Sequence, residues 1–495
     1  MGPNPKSAAN DLSPGKGQSS DRALTPLPLV VDLDGTLVKT DLLTESIFAL
    51  MKQNPLYFFV FPFWLLKGKA FLKQQIGRRV ALDVNVLPYH DELLDYLKVQ
   101  RARGRRLVLA TGTDERIARS VADHLQLFDG VLASNGTINL SGRYKRDRLC
   151  AEFGERGFDY AGNDRHDLLV WSKARKAISV NAAQRIFRAA SRVVEIERVF
   201  DGRKSWVKPY IKAMRLHHWL KNLLVFVPVM MAHRFYEIEL LGKASLAFLA
   251  FGLCASAVYL INDLVDLPAD RHHPQKRTRP FAAGELPLRW GLASPPLLLG
   301  LSLLISLLLP LPFLVTLVIY FLLNLAYSLY LKQIVLLDVV VLAGLYTMRI
   351  MAGSASGAIW PSSWLLAFST FLFFSLALVK RYAELVTISA VSGGTAQVRG
   401  YRVMDKDLLM SLGSTSGYVA VLVLAIYISS GPAEVLYTRY KLIWLLCPLL
   451  LFWISYLWLM AHRGVMYDDP LVFTVRNRIS RIVILLAGLI FLLAI

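Results

Sequence analysis

The sequence predicts a two-part protein: a soluble α/β domain followed by an all-α bundle of nine membrane-spanning helices. Two observations support this fold class. Up to about residue 210, polar and apolar residues alternate as in a soluble α/β protein, whereas long apolar runs follow one another beyond that point. A hydrocarbon core about 30 Å thick needs roughly 20 apolar residues per helix, and hydrophobic residues make up 55% of the 495-residue chain.

The same composition predicts the domain boundaries. Residues 1–26 are rich in Ser, Pro, Gly and Asn and contain no apolar core, so we expect a disordered leader rather than a signal peptide. We predict the soluble domain over residues 27–200, a linker over 201–212 and the membrane domain over 213–495. The nine predicted spans lie near 217–232, 243–261, 292–309, 312–330, 335–353, 363–380, 413–430, 440–460 and 479–495.

The basic charge of the chain indicates its orientation. The net charge is +20, and most Lys and Arg residues between the predicted spans fall in loops on the side of the N-terminus. This pattern predicts a multi-pass protein of the bacterial plasma membrane with a cytoplasmic N-terminal domain. A basic face beside anionic lipid explains the charge, and no nucleic-acid recognition motif accompanies it. The three cysteines are too scattered for a disulfide framework or a zinc site.

The first chemical signal lies at Leu29–Leu37, where a β-branched run ends in two carboxylates. Asp32 and Asp34 are followed by Gly35, which permits a sharp turn. We therefore expect both acids at the carboxyl edge of a strand, where α/β sheets build their sites. Phosphoryl transfer needs an anionic nucleophile, a neighbouring acid or base and a metal. Asp32, Asp34 and Mg²⁺ fit those needs.

This run resembles the DxDGT motif of the haloacid-dehalogenase (HAD) family, and the resemblance covers roughly residues 27–200. It implies a Rossmannoid, phosphatase-type domain. The second motif of that family is a Ser or Thr after a strand, which Thr111 supplies. The third is a lysine that stabilises the phosphorylated aspartate, and Lys145 occupies a corresponding place.

The fourth HAD motif normally reads GDxxxD and supplies metal ligands. Here it runs from Gly162 to Asp167, and Asn163, Asp164 and Asp167 are the candidate ligands. Asn163 stands where an aspartate is usual, and its carbonyl can bind Mg²⁺ with less charge. The domain is therefore either an active phosphohydrolase, which the intact acid pair favours, or an inactive domain retained for structure or regulation.

One apolar stretch of the soluble half, Leu56–Leu66, is too short to span a bilayer and contains Pro62. Two interpretations remain open at this point. The stretch is either part of a cap that lies on the membrane surface or a buried core helix.

The strongest signal of the membrane half follows the second predicted span. Asn262, Asp263 and Asp266 fall at helical spacing and share one face. Pro268 is expected to end that helix and to leave Asp270 in a mobile loop. Carboxylates can hold Mg²⁺ while cations hold diphosphate oxygens. Three cations lie close together a few residues after Asp270: Lys276, Arg277 and Arg279.

This NDxxDxxxD pattern resembles the signature of the UbiA superfamily, and the resemblance covers about residues 211–495. Members acting on aromatic rings usually carry a second acidic motif after the middle helices. Here no further acid lies between Asp338 and Glu384. Cations lie at or near the predicted span ends instead: Arg349, Lys380 and Arg381.

Several stretches look like the decaprenyl-phosphate phosphoribosyltransferase branch of that superfamily. They are Arg215–Asn222, Asp270–Pro280, Tyr327–Asp338 with Arg349, Lys380–Glu384 and Tyr467–Pro470. The resemblance implies transfer of 5-phosphoribose from phosphoribosyl pyrophosphate to a polyprenyl phosphate. Asp263, Asp266 and Asp270 would hold Mg²⁺ on the diphosphate. The candidate substrate- and phosphate-binding residues are Lys221, Asn262, Lys276, Arg277, Arg279, Tyr327, Lys332, Asp338, Arg349, Lys380 and Arg381.

The fusion suggests two consecutive steps, in which the HAD-like domain removes the 5-phosphate of the lipid product. Two other functions remain open. The first is a prenyltransferase with a prenyl diphosphate donor and an aromatic acceptor, next to a regulatory or inactive HAD-like domain. The second is a non-catalytic transporter or scaffold, although no inverted repeat is visible and the carboxylates lie in a loop region.

Overall fold

The computed structural model describes residues 26–495 except 55, 202–204, 274, 393–396 and 467–468. The predicted leader, apart from its last residue, and part of the predicted linker therefore lie outside the described residues. The chain divides into two compact units. The first comprises residues up to 43, 56–85 and 89–202, and the second comprises 44–55, 86–88 and 203–495.

The first unit is built on a parallel sheet of six strands. They are β1 (Leu29–Val31), β2 (Leu107–Asp114), β3 (Gly130–Ser134), β4 (Asp159–Gly162), β5 (Lys176–Val180) and β6 (Glu195–Phe200). The strand order is β3-β2-β1-β4-β5-β6. β1 pairs with both β2 and β4, so the chain moves outward from the centre of the sheet in two directions. The carboxyl end of β1 is thus the topological switch point where α/β sheets place their sites.

Short helices connect these strands. They are α1 (Leu42–Gln53), which falls mostly in the second unit, α2 (Tyr57–Leu66), α3 (Lys69–Gly77), α4 (Asp91–Ala102), α5 (Glu115–Leu125), α6 (Arg143–Phe153), α7 (Leu168–Trp171) and α8 (Gln184–Ala190). Apolar side chains of the strands and helices form the core, with Trp171 and Tyr160 as its largest members. α2 contains no buried residue. The interpretation of this stretch as a buried core helix is therefore wrong.

The second unit is a helical bundle. Its helices are α9 (Val207–Met214), α10 (Val227–Met231), α11 (Ile238–Val265), α12 (Leu267–His272), α13 (Leu288–Ser306), α14 (Leu311–Leu329), α15 (Leu337–Gly357), α16 (Ser363–Ser392), α17 (Lys406–Ser429), α18 (Pro432–Leu436), α19 (Leu446–His462), α20 (Pro470–Arg476) and α21 (Arg478–Ala494). Two short strands, β7 (Gln397–Val398) and β8 (Tyr401–Arg402), pair antiparallel. Buried side chains of α15, α16, α17 and α19 form the largest core cluster.

Within the described residues, seven helices are long and apolar enough to cross a membrane, and α20 and α21 add an eighth if this pair, bent by 87°, is one span. The chain is therefore a multi-pass membrane protein, but the expected count of nine spans is not reached. The first predicted span, 217–232, is a 3-10 segment (Leu216–Phe226) followed by the short α10. Lys221 and Asn222 are buried in that segment, and polar groups of this kind oppose a lipid-exposed helix.

Candidate active sites

The first candidate site lies where β1 ends. The Asp32 backbone N–H donates to Ala161 O of β4 over 3.0 Å, which fixes the chain as it leaves the sheet. Gly35 has φ +74°, and a Cβ at this position would lie 2.1 Å from Asn163 Nδ2. Glycine is required here both by the left-handed backbone and by the close approach of Asn163.

Lys145 of α6 connects the two motifs at this edge. Its Nζ donates to Asp32 Oδ1 over 2.7 Å and to the Tyr160 hydroxyl over 3.0 Å. Tyr160 in turn donates to Asp167 Oδ1 over 2.8 Å. The other Asp167 oxygen accepts the backbone N–H groups of Asn163 and Asp164, each over 2.9 Å. The structure thus brings Lys145 to the acid pair, while Asp167 holds the fourth motif in place.

Asp34 is held by hydroxyl and backbone donors. Thr113 Oγ1 donates to Asp34 Oδ2 over 2.5 Å, whereas the Thr111 hydroxyl is 3.4 Å from the same oxygen. Thr111 Oγ1 accepts the Thr113 N–H over 3.0 Å. The Leu42 N–H donates to Asp34 Oδ1 over 2.9 Å. Thr113, which the sequence analysis missed, is therefore the closer hydroxyl, although Thr111 belongs to the same network.

The donor set at this edge fits Mg²⁺. Asn163 Oδ1 is buried and has no hydrogen-bond partner among the described residues, and an orphaned buried oxygen needs a partner such as a cation. Asp164 is exposed and caps the next turn through its side chain, so it is less suited to a ligand role than Asp32, Asp34 or Asn163. Across the residues that the structure describes, in this unit and in the membrane unit, no three His, Cys, Asp or Glu side chains are already arranged as a metal site. A metal at this edge would therefore need the Asn163 oxygen as a donor.

Burial dominates the electrostatics of the acid pair. It raises the pKa of Asp32 to about 7, and the Lys145 ammonium opposes that rise. Burial also raises the pKa of Asp34, against the hydrogen bond from Thr113. A divalent cation beside Asp32 favours the ionised form of that carboxylate.

The second candidate site lies at the end of α11, where Asp263 is buried and Asp266 follows one turn later. Asp270 does not lie in a mobile loop, as the sequence analysis expected. It is buried in α12, and its N–H donates to Asp266 O over 2.8 Å. The expectation failed because Pro268 stands in the first turn of α12, where a missing N–H is tolerated.

Each carboxylate of this aspartate cluster (Asp263, Asp266, Asp270) is paired with a cation. Arg279 Nη1 lies 2.6 Å from Asp270 Oδ2 and 3.2 Å from Asp263 Oδ1. Arg215 also pairs with Asp263. Lys332 Nζ lies 2.8 Å from Asp266 Oδ2 and 3.4 Å from Asn262 Oδ1. Oxygen donors of this kind suit Mg²⁺, and the same cations suit diphosphate oxygens.

The other two cations of the Asp270–Pro280 run differ in environment, and Pro274 lies outside the described residues. Arg277 is exposed. Lys276 is half-buried, and burial together with the positive charge of Arg279 lowers its pKa. Of the three cations predicted to hold diphosphate, Arg279 is therefore the one in direct contact with the carboxylates.

A second group of charges surrounds Asp469, in the Tyr467–Pro470 stretch, of which Tyr467 and Asp468 lie outside the described residues. Asp469 is buried and accepts hydrogen bonds from Lys221 over 2.6 Å and from the Tyr346 hydroxyl over 3.1 Å. Lys380 Nζ lies 3.4 Å from the same carboxylate. The sequence analysis gave Asp469 no role, because its partners are far away along the chain.

Arg349 lies in the interior of the same unit. Its guanidinium donates to Asn222 Oδ1 over 3.0 Å and to the Tyr320 hydroxyl over 2.8 Å. The Tyr259 ring, one helical turn before Asp263, lies 5.0 Å from the guanidinium of Arg215. The His218 ring, in the segment that also carries Lys221 and Asn222, lies 5.4 Å from the same Tyr259 ring. One polar interior therefore connects the aspartate cluster with Lys221, Arg349 and Lys380.

Three predicted binding residues are engaged elsewhere. Arg381 and Asp338 are fully buried and form an ion pair of 2.5 Å. The Tyr401 hydroxyl donates to Asp338 over 2.5 Å. The Tyr327 hydroxyl accepts a hydrogen bond from Arg399 over 2.8 Å. Arg381 and Asp338 therefore join α16 to α15 within the protein, rather than standing ready for a ligand.

The structure defines a class of multi-pass membrane proteins. Their helical bundle carries an aspartate cluster at the end of a long helix, and the same chain contains an α/β unit with an acid pair at the switch point of its sheet. The UbiA prenyltransferase family model matches residues 223–470. The chain belongs to the UbiA prenyltransferase family.

Relatives cover different parts of the chain. The uncharacterized protein y4nM of Sinorhizobium fredii is 36% identical over 92% of this chain and 88% of its own length. The nodulation protein NoeC of Azorhizobium caulinodans is 34% identical over 57% of this chain and 93% of its own length. A decaprenyl-phosphate phosphoribosyltransferase of Mycobacterium tuberculosis is 38% identical over 35% of this chain and 59% of its own length.

Among solved structures, a UbiA homolog from Archaeoglobus fulgidus bound to GPP and Mg²⁺ covers 57% of this chain and 99% of its own, with 18% identity and a TM-score of 0.45. A HAD family hydrolase from Salmonella enterica covers 36% of this chain and 69% of its own, with 16% identity and a TM-score of 0.27.

Proposed function

We propose that the membrane unit transfers 5-phosphoribose from phosphoribosyl pyrophosphate to a polyprenyl phosphate. One observation supports this proposal: besides the aspartate cluster, the interior of the membrane unit holds the cations Lys221, Arg349 and Lys380. A prenyl diphosphate brings one diphosphate group to such a site. Phosphoribosyl pyrophosphate and a lipid phosphate together bring a diphosphate and two phosphate groups, which need the additional cations.

The reaction breaks the bond between C1 of the ribose and the diphosphate, and it forms a bond from C1 to an oxygen of the lipid phosphate. Asp263, Asp266 and Asp270 would hold Mg²⁺, and its positive charge would neutralise the diphosphate. Arg279 and Lys332 pair with these carboxylates in the structure, and they can exchange carboxylate for phosphate oxygens when the donor binds. The carbon develops oxocarbenium character, which such fixed charges stabilise. A lipid phosphate is already anionic at neutral pH and needs no strong base.

Lys221, Arg349 and Lys380 are proposed to hold the lipid phosphate and the 5-phosphate of the donor. All three lie in the described interior, next to side chains that keep them in position. The similarity to the mycobacterial phosphoribosyltransferase supports the choice of donor and acceptor, and the chain spans about three-fifths of the length of that relative.

We propose that the HAD-like unit removes the 5-phosphate from the lipid product. Asp32 would attack the phosphorus, and Asp34 would give a proton to the departing ribose oxygen. Lys145, 2.7 Å from Asp32, would stabilise the phosphorylated carboxylate. Water would then release phosphate from Asp32, with Asp34 as the base. Both sites are proposed to face the cytoplasm of a bacterial cell. The basic loops predict that side for the N-terminal domain, and the lipid product of the membrane unit is the proposed substrate of the HAD-like unit.

The family name favours one alternative, a prenyl diphosphate donor with an aromatic acceptor. A comparison of the two labelled donors, each supplied separately, distinguishes the two functions. Purified protein in lipid nanodiscs receives Mg²⁺, a long polyprenyl phosphate and either labelled phosphoribosyl pyrophosphate or a labelled prenyl diphosphate with aromatic acceptors. We expect label from phosphoribosyl pyrophosphate in the lipid fraction and none from the prenyl diphosphate. Transfer of the prenyl group alone would refute the proposal.

A further inference from the structure

Helix α2 presents an unusual surface in the first unit. Its sequence, YFFVFPFWLL, is apolar throughout, and none of its residues is buried. Phe58, Phe59 and Phe63 are each at least 60% exposed, and Leu66 is 84% exposed. Soluble proteins rarely leave so many large apolar side chains together in water. This surface therefore needs an apolar partner.

The charge around α2 indicates which partner fits. No Asp or Glu lies between residues 54 and 81, whereas five cations lie there: Lys67, Lys69, Lys73, Arg78 and Arg79. Arg79 stacks over the Trp64 ring at 4.9 Å, and Lys67 lies 5.3 Å from the Phe71 ring centroid. α2 itself carries no charge, and the cations follow it in the chain. A bilayer surface fits this arrangement, because aromatic side chains are favoured at the interface and cations are attracted to anionic headgroups. A second copy of this chain is a poor partner, because the positive charges of the two copies would face and repel each other.

The length of α2 also favours an interfacial position. Ten residues extend about 15 Å, which is half of the hydrocarbon thickness, so the helix cannot span. The chain itself crosses the membrane repeatedly, and a bilayer is therefore always present next to the protein.

α2 is connected directly to the HAD-type site through α3. The two helices pack on each other, and α3 packs on β2. Lys73 of α3 donates to Gly112 O over 2.6 Å and to Asn139 Oδ1 over 2.9 Å, next to Thr111 and Thr113. The α2–α3 hairpin thus joins the apolar surface to the edge of the sheet that carries the acid pair.

We infer that α2 inserts into the lipid headgroup region and anchors the HAD-type site at the bilayer surface. The inserted helix lies roughly 5–10 Å into the boundary between headgroups and acyl chains. The lysines and arginines of the hairpin contact anionic headgroups. A second part of the inference rests on the proposed function: the site acts on phosphate monoesters carried by membrane lipids and prefers them to soluble ones.

The first experiment measures depth and needs no enzymatic activity. The full chain, with Cys150→Ser, carries a single introduced cysteine labelled with an environment-sensitive fluorophore, in nanodiscs that contain anionic lipid and spin-labelled acyl chains. The test positions are Phe59→Cys and Phe63→Cys. The matched controls are Tyr144→Cys and Val193→Cys, which are also exposed in the first unit.

We expect strong quenching at residues 59 and 63 and weak quenching at residues 144 and 193. Equal, weak quenching at all four positions would overturn the inference. A fluorophore at residue 59 or 63 that is shielded from water but not quenched by the spin-labelled lipid would show a protein partner instead. That result would also overturn it.

The second experiment separates the anchor from catalysis. The variant F58S/F59S/F63S is compared with the unchanged chain on a phosphate monoester embedded in the nanodisc and on a small soluble one. We expect the KM for the embedded substrate to rise about tenfold, while kcat/KM for the soluble substrate stays the same. A parallel loss on both substrates would contradict the surface role. If the unchanged chain hydrolyses neither substrate, the phosphatase proposal fails, whereas the depth measurement still decides the anchor.

Discussion

The two candidate sites differ in how their charges are balanced. In the HAD-like unit one lysine, Lys145, faces the acid pair, and the buried Asn163 Oδ1 has no partner among the described residues. In the membrane unit every carboxylate of the aspartate cluster already pairs with an arginine or a lysine. An unpaired charge near a bilayer is costly. Under the proposed function, the soluble site would gain a cation on binding Mg²⁺, whereas the cations of the membrane site would exchange carboxylate for phosphate oxygens.

The largest expected effect tests the membrane side of this comparison. Asp263→Ala removes the buried partner of Arg215 and Arg279, and we expect transfer to the lipid to fall by about a thousandfold or more. Glu239→Gln, at the exposed opposite end of the same helix, is the matched control and should leave transfer unchanged. Labelled lipid formed per minute is the readout. A variant at position 263 that keeps most of its rate would contradict a role for the cluster.

Asp32→Asn tests the soluble side. It removes the proposed nucleophile without changing the shape of the side chain, and phosphate release from the lipid product should fall by at least about a thousandfold. Transfer by the membrane unit should continue at the normal rate. Asp164→Asn, at an exposed capping position, should release phosphate like the unchanged chain. Slower transfer in the Asp32 variant would show that the two sites are not independent.

Asp469 tests whether the ion pairs of the membrane interior also stabilise the fold. Asp469→Asn leaves Lys221 without its buried partner and should destabilise the unit by about 3 kcal/mol. Lys221→Met should do the same, and the double variant should cost clearly less than the sum of the two. Thermal unfolding of the protein in detergent measures this coupling. Strictly additive losses would mean that the two side chains do not interact.

Two arginines of the same stretch are expected to differ in their effect on the KM for the donor. Arg279 contacts two carboxylates, whereas Arg277 is exposed. Arg279→Gln should raise the KM for the donor at least about tenfold. Arg277→Gln should change it by no more than about twofold, because an exposed charge contributes little. Equal effects of both substitutions would argue for a general electrostatic attraction rather than a specific contact.

The smallest effect concerns the departure from the HAD motif. Asn163→Asp adds a negative charge to the proposed metal site, and the Mg²⁺ concentration that gives half-maximal phosphate release should fall by about tenfold. Asn163→Ala removes the oxygen and should raise that concentration. A titration of phosphate release with Mg²⁺ compares the three proteins. An unchanged requirement in both variants would exclude position 163 from the metal site.

Local sequence patterns were sufficient to predict those features of the fold and the sites that depend on residues close together in the chain. The strand before Asp32 and the place of the acid pair after it follow from short-range periodicity. Helical spacing likewise brings Asn262 and Asp266 to one lysine, Lys332. Lys145 could be placed because the HAD resemblance supplied a motif that composition alone does not contain.

Other features depended on contacts that sequence spacing does not reveal. The bond from Lys221 to Asp469 joins residues 248 positions apart. Thr111 and Thr113 are two positions apart in one strand, and only the register of β2 decides which hydroxyl is nearer to Asp34. The prediction of nine spans treated residues 217–232 as a span because that stretch is long and apolar. It did not take account of the polar side chains that are buried there.

The most direct test of the account is the mass of the lipid product. Protein in nanodiscs is given Mg²⁺, phosphoribosyl pyrophosphate and a polyprenyl phosphate, and the lipid fraction is analysed by mass spectrometry. We expect a ribose headgroup from the unchanged chain and a ribose 5-phosphate headgroup from Asp32→Asn. The same headgroup from both proteins would contradict the assignment of two consecutive sites, and a lipid without any added sugar would contradict phosphoribosyl transfer itself.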